Sequence, residues 1–217
     1  MLGSNVTMPN AVILANGLPP SRATLEQVLR RASLLVCADG GADTARRYGI
    51  TPHAIVGDFD SASAETLAHF AKVPLIRDED PERTDAEKAL DWVLQQGAFE
   101  TITLMGATTG RLDHVLGHVS LLRRYLSRAR VVLEDDEVRA TLERGTATIE
   151  EPPGTTVSFF AVGTPVEGLT TENLRYALRD CHLELGVQDS VSNVVEQSPA
   201  WVRMSSGEIL LVVVKRV

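Results

Sequence analysis

The chain has 217 residues, of which 44% are apolar and 23% charged, and these are ordinary proportions for a soluble globular protein. Its formal net charge of -8 at pH 7 argues against non-specific binding to nucleic acid, which relies on a basic face. No apolar run approaches the roughly 18 residues of a membrane-spanning helix, so no membrane partner is expected.

Short apolar runs alternate with helix-like segments through about residue 130. The predicted strands are Ala11–Ala15, Leu34–Ala38, Ala54–Val56, Val73–Ile76, Thr101–Met105 and Arg130–Leu133. The predicted helices are Thr24–Ala32, Ala42–Tyr48, Ser63–Ala71, Thr84–Gln96 and Leu112–Leu126. Thr84 and Glu87 form a capping-box pattern, which predicts a helix start at Thr84. This alternation predicts an α/β domain over residues 8–134, with a mostly parallel, Rossmann-like sheet.

After about residue 135, strand-like runs are broken by Gly, Pro, Asn and Asp. The clearest runs are Thr155–Val162, His182–Leu185, Trp201–Met204 and Glu208–Lys215. Their spacing predicts a second, all-β domain over residues 135–217, arranged as a sandwich.

The two cysteines and the N-terminus bear on the compartment. Cys37 and Cys181 lie far apart, each in an apolar run that predicts a buried strand, so a reduced cytoplasmic protein without a disulfide is expected. The first ten residues lack the basic and apolar regions of a signal peptide. Residues 1–7 are interpreted as a leader or an added segment ahead of a start at Met8.

Small and acidic residues follow several predicted strands, at the sheet edge where ligands bind in parallel sheets. The sharpest example is Gly57–Ser61, in which one residue separates Asp58 from Asp60, so that both can approach one cation. Mg²⁺ prefers such oxygen ligands and keeps substrate phosphates in its shell. The alternative interpretation is an acidic turn in which Ser61 or Ser63 caps the next helix.

Asp85 and Lys88 stand in the first turn of the fourth predicted helix. Asp85 would stabilise a helix start through the macrodipole, so its position alone does not demand a catalytic role. Lys88 could pair with Asp85 or reach a phosphate. A surface pair with Asp85 is the favoured interpretation.

Residues 106–114 combine a glycine-bracketed loop with Arg111 and Asp113. Such a loop at a helix start is expected to offer free backbone N–H groups to an anion, and the Arg111 guanidinium can hold phosphate oxygens. His114 and His118 lie one turn apart, but no third ligand at suitable spacing supports a zinc site. The buried stripe of this helix is predicted to be Leu112, Val115, Leu116, Val119 and Leu122.

The sequence lacks three motifs, and each absence argues against one class of enzyme. A G-x-x-x-x-G-K-[ST] loop is lacking, which excludes an ordinary P-loop kinase. No G-x-G-x-x-G turn follows the first strand, so a dinucleotide-dependent oxidoreductase is not supported. Neither a serine nucleophile elbow nor a Cys–His pairing stands out for acyl transfer.

Several stretches together closely resemble the thiamine pyrophosphokinase family, in its order and at its approximate spacing. They are Cys37–Ala42, Gly57–Ser61, Arg83–Leu90, Gly110–His114, Leu174–Leu178 and Ser190–Asn193. The chain departs from the family at three positions. A second glycine is common where Thr109 stands, bacterial members commonly carry Asn where His118 stands, and the position of Tyr176 is often Trp. These departures leave the acidic centre intact and bear on substrate preference.

The resemblance implies a homodimer that transfers the β,γ-pyrophosphoryl group of ATP to thiamine, giving thiamine diphosphate and AMP. Thiamine would lie at the dimer interface, and Mg²⁺ would be the cofactor. By resemblance, Asp58, Asp60 and Asp85 would hold the metal, and Arg111 and Asp113 would complete the catalytic set. The ATP side would comprise Asp39, Gly40, Ser61, Thr84, Lys88 and Gly110. The thiamine side would comprise Tyr176, Ser190, Ser192 and Asn193.

Three other functions stay open at the level of the sequence. A pyrophosphokinase of the same architecture could act on another hydroxymethyl heterocycle, such as a pterin. A non-catalytic nucleotide sensor could retain the acidic motifs as a binding site. A metal-dependent phosphohydrolase could use Asp58 and Asp60 without any acceptor alcohol.

Overall fold

A computed structural model describes residues 8–215, which cluster into two compact units divided between Asp136 and Glu137. The strands of the first unit are β1 Asn10–Leu14, β2 Ala32–Ala38, β3 Ala54–Gly57, β4 Leu75–Arg77, β5 Ile102–Met105 and β6 Val131–Glu134. Its helices are α1 Arg22–Leu29, α2 Gly41–Arg47, α3 Ala64–His69, α4 Asp85–Gln96 and α5 Leu112–Tyr125. Each of these was predicted, with small differences at the ends. The interpretation of residues 1–7 lies outside the described residues.

The strands of the first unit pair in the order β6-β5-β1-β2-β3-β4, and every neighbouring pair is parallel. The central strands are apolar throughout: Val12, Ile13 and Leu14 in β1 are fully buried, as is Ile55 in β3. Burial of successive residues in one strand is typical of a parallel sheet that helices cover on both faces. None of the helices within residues 8–215 has the length and apolar character needed to cross a membrane.

The second unit is rich in β-structure. Its strands are β7 Val138–Glu143, β8 Thr146–Ile149, β9 Thr156–Ala161, β10 Val166–Glu172, β11 Cys181–Leu183, β12 Ser190–Val194, β13 Ala200–Arg203 and β14 Ile209–Val214. Four of them, β7, β8, β10 and β12, were not among the runs singled out from the sequence. One of them, β8 with its Thr-Ala-Thr-Ile sequence, buries only alternate residues, so it contains no continuous apolar run.

The large sheet is mixed, so the expectation of a mostly parallel sheet is not confirmed. Pairs among β1–β6 are parallel, whereas β14 pairs antiparallel with β7 and β9, and β12 pairs antiparallel with β9. A separate four-stranded sheet, β11-β10-β13-β8, is also antiparallel where its register is defined. The connections between strands explain why some pairs are parallel and others antiparallel. A crossover helix returns the chain in the same direction, whereas a short turn reverses it.

The buried face of α5 differs from the predicted stripe. Leu112 and Leu116 are 70% and 58% exposed, so they do not belong to the core. The residues buried on α5 are His118, Leu121, Leu122 and Tyr125. Leu122 alone is shared with the predicted stripe, so the face that α5 buries is displaced around the helix from the predicted one.

Neither cysteine forms a disulfide, as expected from the sequence. Cys37 is fully buried in β2, and this burial raises the pKa of its thiol. Cys181 is only partly buried, which corrects the expectation of a buried strand at that position.

The start of α2 packs directly on the end of β1 through Gly41. A Cβ at this position would lie 2.0 Å from the carbonyl oxygen of Leu14, so Gly41→Ala is expected to destabilise the protein by about 3 kcal/mol through backbone displacement. The control is Gly117→Ala in α5, where a Cβ would meet nothing within 4 Å. That change is expected to stabilise by about 0.5–1 kcal/mol. Urea unfolding of both variants measures the difference; an unchanged midpoint for Gly41→Ala would contradict the close contact.

Candidate active site

Three carboxylates gather where β2 and β3 end. Asp39 directly follows β2, and Asp58 and Asp60 follow β3, its parallel neighbour. One carboxylate oxygen from each lies within 4.8 Å of the other two. Asp39 is buried, Asp58 is partly buried and Asp60 is exposed. The structure therefore brings two of the predicted metal ligands together with Asp39, a residue expected on the ATP side.

Asp39 also anchors the turn that carries the other two aspartates. Its Oδ2 accepts a hydrogen bond from the Ser61 N–H at 3.1 Å, and its Oδ1 accepts one from the Ala62 N–H at 2.9 Å. Burial raises the pKa of Asp39 to about 6; the two N–H groups oppose that rise, and the charges of Asp85 and Asp58 add to it. A cation bound beside Asp39 would offset this crowding of negative charge.

The turn after β3 holds its aspartates through its own backbone. The Asp60 N–H donates to Oδ1 of Asp58 at 3.1 Å, and this bond is the main reason that the pKa of Asp58 lies below its usual value. Phe59 adopts a φ of 68°, in the left-handed region. Arg77 donates to the carbonyl of Asp58 at 2.9 Å and stacks its guanidinium 5.0 Å from the Phe59 ring centroid. These contacts give Asp58 and Asp60 a defined position.

Lys88 is a buried cation between two of the predicted catalytic carboxylates. Its Nζ lies 3.1 Å from Oδ1 of Asp85 and 3.8 Å from Oδ2 of Asp58, and its side chain is only 2% exposed. The pairing with Asp85 was predicted, but the interpretation as a surface pair is wrong. A lysine is rarely buried unless carboxylates compensate the loss of hydration. Because α4 packs against β2 and β3, Lys88 is buried beside Asp85 and Asp58 and belongs to the candidate site.

The start of α4 has one of the two hydrogen bonds of the predicted capping box. Thr84 accepts the Glu87 N–H through its hydroxyl at 3.3 Å. The carboxylate of Glu87 instead pairs with Arg124 of α5 at 2.5 Å. The reciprocal half of the capping box is therefore replaced by a tertiary ion pair, and the Thr84 hydroxyl is engaged in holding Asp85 at the helix start.

The loop after β5 is not an open anion site. Asp135, which follows β6, accepts hydrogen bonds from the N–H groups of Gly106, Ala107 and Thr108 at 2.7, 3.1 and 3.0 Å. It also accepts the Thr108 hydroxyl at 2.7 Å. The expectation of free N–H groups is therefore wrong for residues 106–108, because the chain supplies its own carboxylate there.

Arg111 and Asp113 face each other beyond this loop. The guanidinium donates to both carboxylate oxygens, at 3.1 and 2.5 Å, and lowers the pKa of Asp113 to about 2. Both side chains are well exposed, at 73% and 63%. Arg111 is the N-cap residue of α5 and makes no side-chain capping bond. The pair is thus formed from two predicted catalytic residues and is accessible to a ligand.

His118 supports the same loop from α5. Its Nδ1 lies 2.9 Å from the carbonyl oxygen of Ala107, and burial lowers the pKa of the imidazole below its ordinary value of about 6.5. The nearby His114 lowers this pKa further, whereas the hydrogen bond to Ala107 and the charge of Asp135 raise it. A lowered pKa in the folded state means that the unfolded chain takes up protons first as the pH falls below about 6.5.

The free energy of unfolding is therefore expected to fall as the pH drops from 7.5 to 5.5, in part because His118 takes up a proton more readily in the unfolded chain. His118→Asn is expected to remove that part of the fall. Asn retains an N–H donor for the Ala107 carbonyl but does not titrate. Urea unfolding at three pH values, with EDTA present, measures the difference between wild type and variant. His69→Asn, at an exposed histidine, controls for the substitution. A constant difference across the pH range would contradict the inference.

Comparison with known proteins decides the family. Two family models match: thiamin pyrophosphokinase, catalytic domain, at residues 25–133, and thiamin pyrophosphokinase, vitamin B1 binding domain, at residues 146–209. The chain belongs to the thiamine pyrophosphokinase family.

Individual relatives agree with this membership over nearly the whole chain. Thiamine pyrophosphokinase 1 of Oryza sativa subsp. japonica is 30% identical, covering 93% of this chain and 85% of its own. The crystal structure of thiamin pyrophosphokinase from Geobacillus thermodenitrificans is 30% identical with a TM-score of 0.82, over 95% of this chain and 98% of that one. The Bacillus subtilis structure is 26% identical with a TM-score of 0.85, over 96% and 100%.

Gly40, Gly110 and Ser61 are the remaining residues expected on the ATP side of this thiamine pyrophosphokinase family member. Their visible contribution is to the local shape of the chain. A Cβ at Gly40 would lie 2.4 Å from the Asn16 side chain, so a larger residue at this position would require Asn16 to move. Gly110 has a φ of 97°, a conformation that other residues rarely adopt. The Ser61 hydroxyl donates to Oδ1 of Asp60 at 2.9 Å.

The residues expected on the thiamine side lie in the second unit, where Asn193 differs from the other three. It is 1% exposed, and its side-chain amide bonds the backbone N–H and carbonyl of Tyr176 at 3.0 and 2.7 Å. Tyr176 itself is 60% exposed. Ser190 and Ser192 belong to β12, and the Ser192 N–H donates to the Ser158 hydroxyl at 3.0 Å. Asn193 therefore holds the backbone of Tyr176 through its side-chain amide.

Sequence reasoning missed Asp135 and the burial of Lys88. For Asp135 a signal was present, because it follows the predicted sixth strand just as Asp39 and Asp58 follow theirs. The burial of Lys88 had no local signal, since a lysine in the first turn of a helix is ordinarily exposed.

Proposed function

We propose that this chain transfers the β,γ-pyrophosphoryl group of ATP to the hydroxyethyl oxygen of thiamine, giving thiamine diphosphate and AMP. One observation carries the chemistry: carboxylate oxygens of Asp39, Asp58 and Asp60 lie within 4.8 Å of one another, and the Lys88 ammonium contacts Asp58 at 3.8 Å. Pyrophosphoryl transfer requires charge neutralisation and alignment of phosphates more than a covalent nucleophile, and this arrangement suits that need.

The donor set fits Mg²⁺. It consists of hard carboxylate oxygens. Burial is the main cause of the raised pKa of Asp39, and the charges of Asp85 and Asp58, which add to it, are what a divalent ion would offset. Asp58 and Asp60 are the proposed ligands, with Asp39 beside them. The Lys88 ammonium donates a hydrogen bond to Oδ1 of Asp85, so Oδ2 is the Asp85 oxygen that we propose for a metal. Bound Mg²⁺ would supply neutralisation and alignment of the phosphate oxygens.

The protein's own residues would then hold the reacting groups. Lys88, fixed between Asp58 and Asp85, keeps the carboxylates in place and offers N–H donors to a phosphate oxygen. The Arg111 guanidinium offers several N–H donors, two of which bond Asp113, so a substrate phosphate would compete with Asp113 for the guanidinium. The proton of the attacking hydroxyl would pass to a carboxylate oxygen of the site.

On the acceptor side, we propose that Tyr176, Ser190 and Ser192 contact thiamine. The exposed ring of Tyr176, held by Asn193 through its backbone, offers a face for stacking on an aromatic cation. A homodimer is part of the proposal, and light scattering of the purified chain tests it. The two free thiols fit a reducing compartment, the cytoplasm.

The deciding assay combines purified protein, ATP, Mg²⁺ and thiamine, and scores thiamine diphosphate and AMP together. Equal amounts of both products are expected. Formation of ADP with thiamine monophosphate would contradict the transfer of two phosphates. Release of phosphate without thiamine would indicate a phosphohydrolase. ATP binding without AMP would indicate a sensor, and preference for a pterin alcohol in competition with thiamine would redirect the acceptor.

A further inference from the structure

Asp135 is a buried carboxylate next to the proposed site, and the proposed transfer gives it no role. It is 4% exposed and accepts four hydrogen bonds from three consecutive residues: the N–H groups of Gly106, Ala107 and Thr108 and the hydroxyl of Thr108. Three successive N–H groups converge on one anion only when the backbone curls around it, and Gly106 allows this with a φ of 68°. The curled loop and the carboxylate therefore determine each other's position.

The loop is anchored from a second direction as well. His118 bonds the carbonyl of Ala107 at 2.9 Å, so the peptide groups around Ala107 are held by Asp135 through N–H and by α5 through C=O. The backbone of Gly106 also touches the loop after β1, where a Cβ on Gly17 would lie 2.2 Å from the Gly106 carbonyl oxygen. Residues 106–108 are thus fixed on three sides, whereas Arg111 further along is 73% exposed.

We propose that Asp135 is the positioning residue for Arg111. By fixing residues 106–108, it sets where the chain leaves β5 and hence where Arg111 begins α5 with its guanidinium toward substrate. This inference rests on the role proposed for Arg111 in pyrophosphoryl transfer. It also means that substrate phosphates do not bind the N–H groups of residues 106–108, because Asp135 already fills that cradle.

Asp135→Asn tests the proposal. Asn keeps the size of the side chain but replaces one acceptor oxygen by an NH₂ group that cannot accept the N–H groups converging on it. We expect kcat/KM to fall about 10²-fold, the loss typical of a misplaced catalytic group. Asp136→Asn is the matched control: Asp136 accepts the Ser21 N–H and hydroxyl at 2.7 and 2.6 Å, at the start of α1. That control is expected to change kcat/KM by about twofold at most, because the hydrogen bonds that it disturbs hold the start of α1.

A double-mutant cycle separates positioning from general support of the fold. If Asp135 acts through Arg111, Asp135→Asn should have little further effect once Arg111→Gln has been made. The same 10²-fold loss in both backgrounds would overturn the proposal. Thr108→Val, which removes one of the four hydrogen bonds, serves if Asp135→Asn does not fold. It should lower kcat/KM about fivefold, in line with the loss of a single hydrogen bond, and only when Arg111 is present.

Amide hydrogen exchange provides a readout that does not depend on turnover. In Asp135→Asn or Thr108→Val, exchange should accelerate at residues 106–111 and stay unchanged in β9 and β14 of the second unit. If the wild type makes no thiamine diphosphate, the proposed function fails on its own, and the exchange result still shows whether Asp135 orders this loop. Unaltered exchange at residues 106–111 would overturn the positioning role even in an active enzyme.

Discussion

Replacing Asp58 by Asn is expected to lower kcat for thiamine diphosphate formation by about 10³-fold, equivalent to about 4 kcal/mol of lost transition-state stabilisation. Asp58 belongs to the cluster of three carboxylates and lies 3.8 Å from the Lys88 ammonium, so its charge would serve both the proposed metal and the lysine. Asn retains an oxygen for the Asp60 N–H, so the turn should keep its shape. The loss should therefore appear in chemistry and metal affinity without a loss of folding.

The experiment measures kcat over a range of Mg²⁺ concentrations, together with Mg²⁺ and ATP binding by calorimetry. The half-saturating Mg²⁺ concentration should rise in Asp58→Asn. Glu79→Gln neutralises an exposed carboxylate that follows β4. Glu79 pairs with Arg77 at 3.3 Å, and because exposed ion pairs contribute little, this change should leave kcat nearly unchanged. If Asp58→Asn kept more than about a tenth of wild-type activity at saturating Mg²⁺, Asp58 would have no central role in holding the metal.

Replacing Lys88 by Met is expected to separate metal binding from turnover. Met fills a similar apolar volume but removes the ammonium that lies 3.1 Å from Asp85 and 3.8 Å from Asp58. Mg²⁺ alone should bind more tightly to the variant, because one positive charge no longer competes for the carboxylates. Turnover should nevertheless fall about 10²-fold, since the loss of a donor aimed at the transferring phosphates costs that much in other enzymes.

Calorimetry with Mg²⁺ in the absence of ATP, followed by the coupled AMP assay, tests both halves of this expectation. Lys72→Met removes an exposed lysine of the same unit and should change neither quantity. Circular dichroism confirms that each variant is folded. Weaker Mg²⁺ binding together with normal turnover in Lys88→Met would place Lys88 among the structural supports of the fold and outside the chemistry.

The first unit could be predicted well because its signals are local. Apolar runs such as Ala11–Ala15 and the helix starts at Ser63 and Thr84 are properties of a few neighbouring residues, and both hydroxyls form the capping bonds of their helices. Asp58 and Asp60 could be placed at the end of β3 for the same reason. The second unit was predicted less completely, because strands such as β8 and β12 contain alternating or polar residues and only cross-strand pairing defines them.

The sequence by itself determined which residues end the strands of the first unit and therefore which carboxylates meet at the edge of its sheet. Only the tertiary structure decided what each charged group touches: Asp85 and Asp58 for the buried Lys88, Arg124 for Glu87, and the 106–108 loop for Asp135. Backbone periodicity and capping depend on residues within one helical turn, so they can be deduced from short patterns. The partner of a buried charge lies up to tens of residues away and is selected by packing, because only a complete set of neighbours can compensate its loss of hydration.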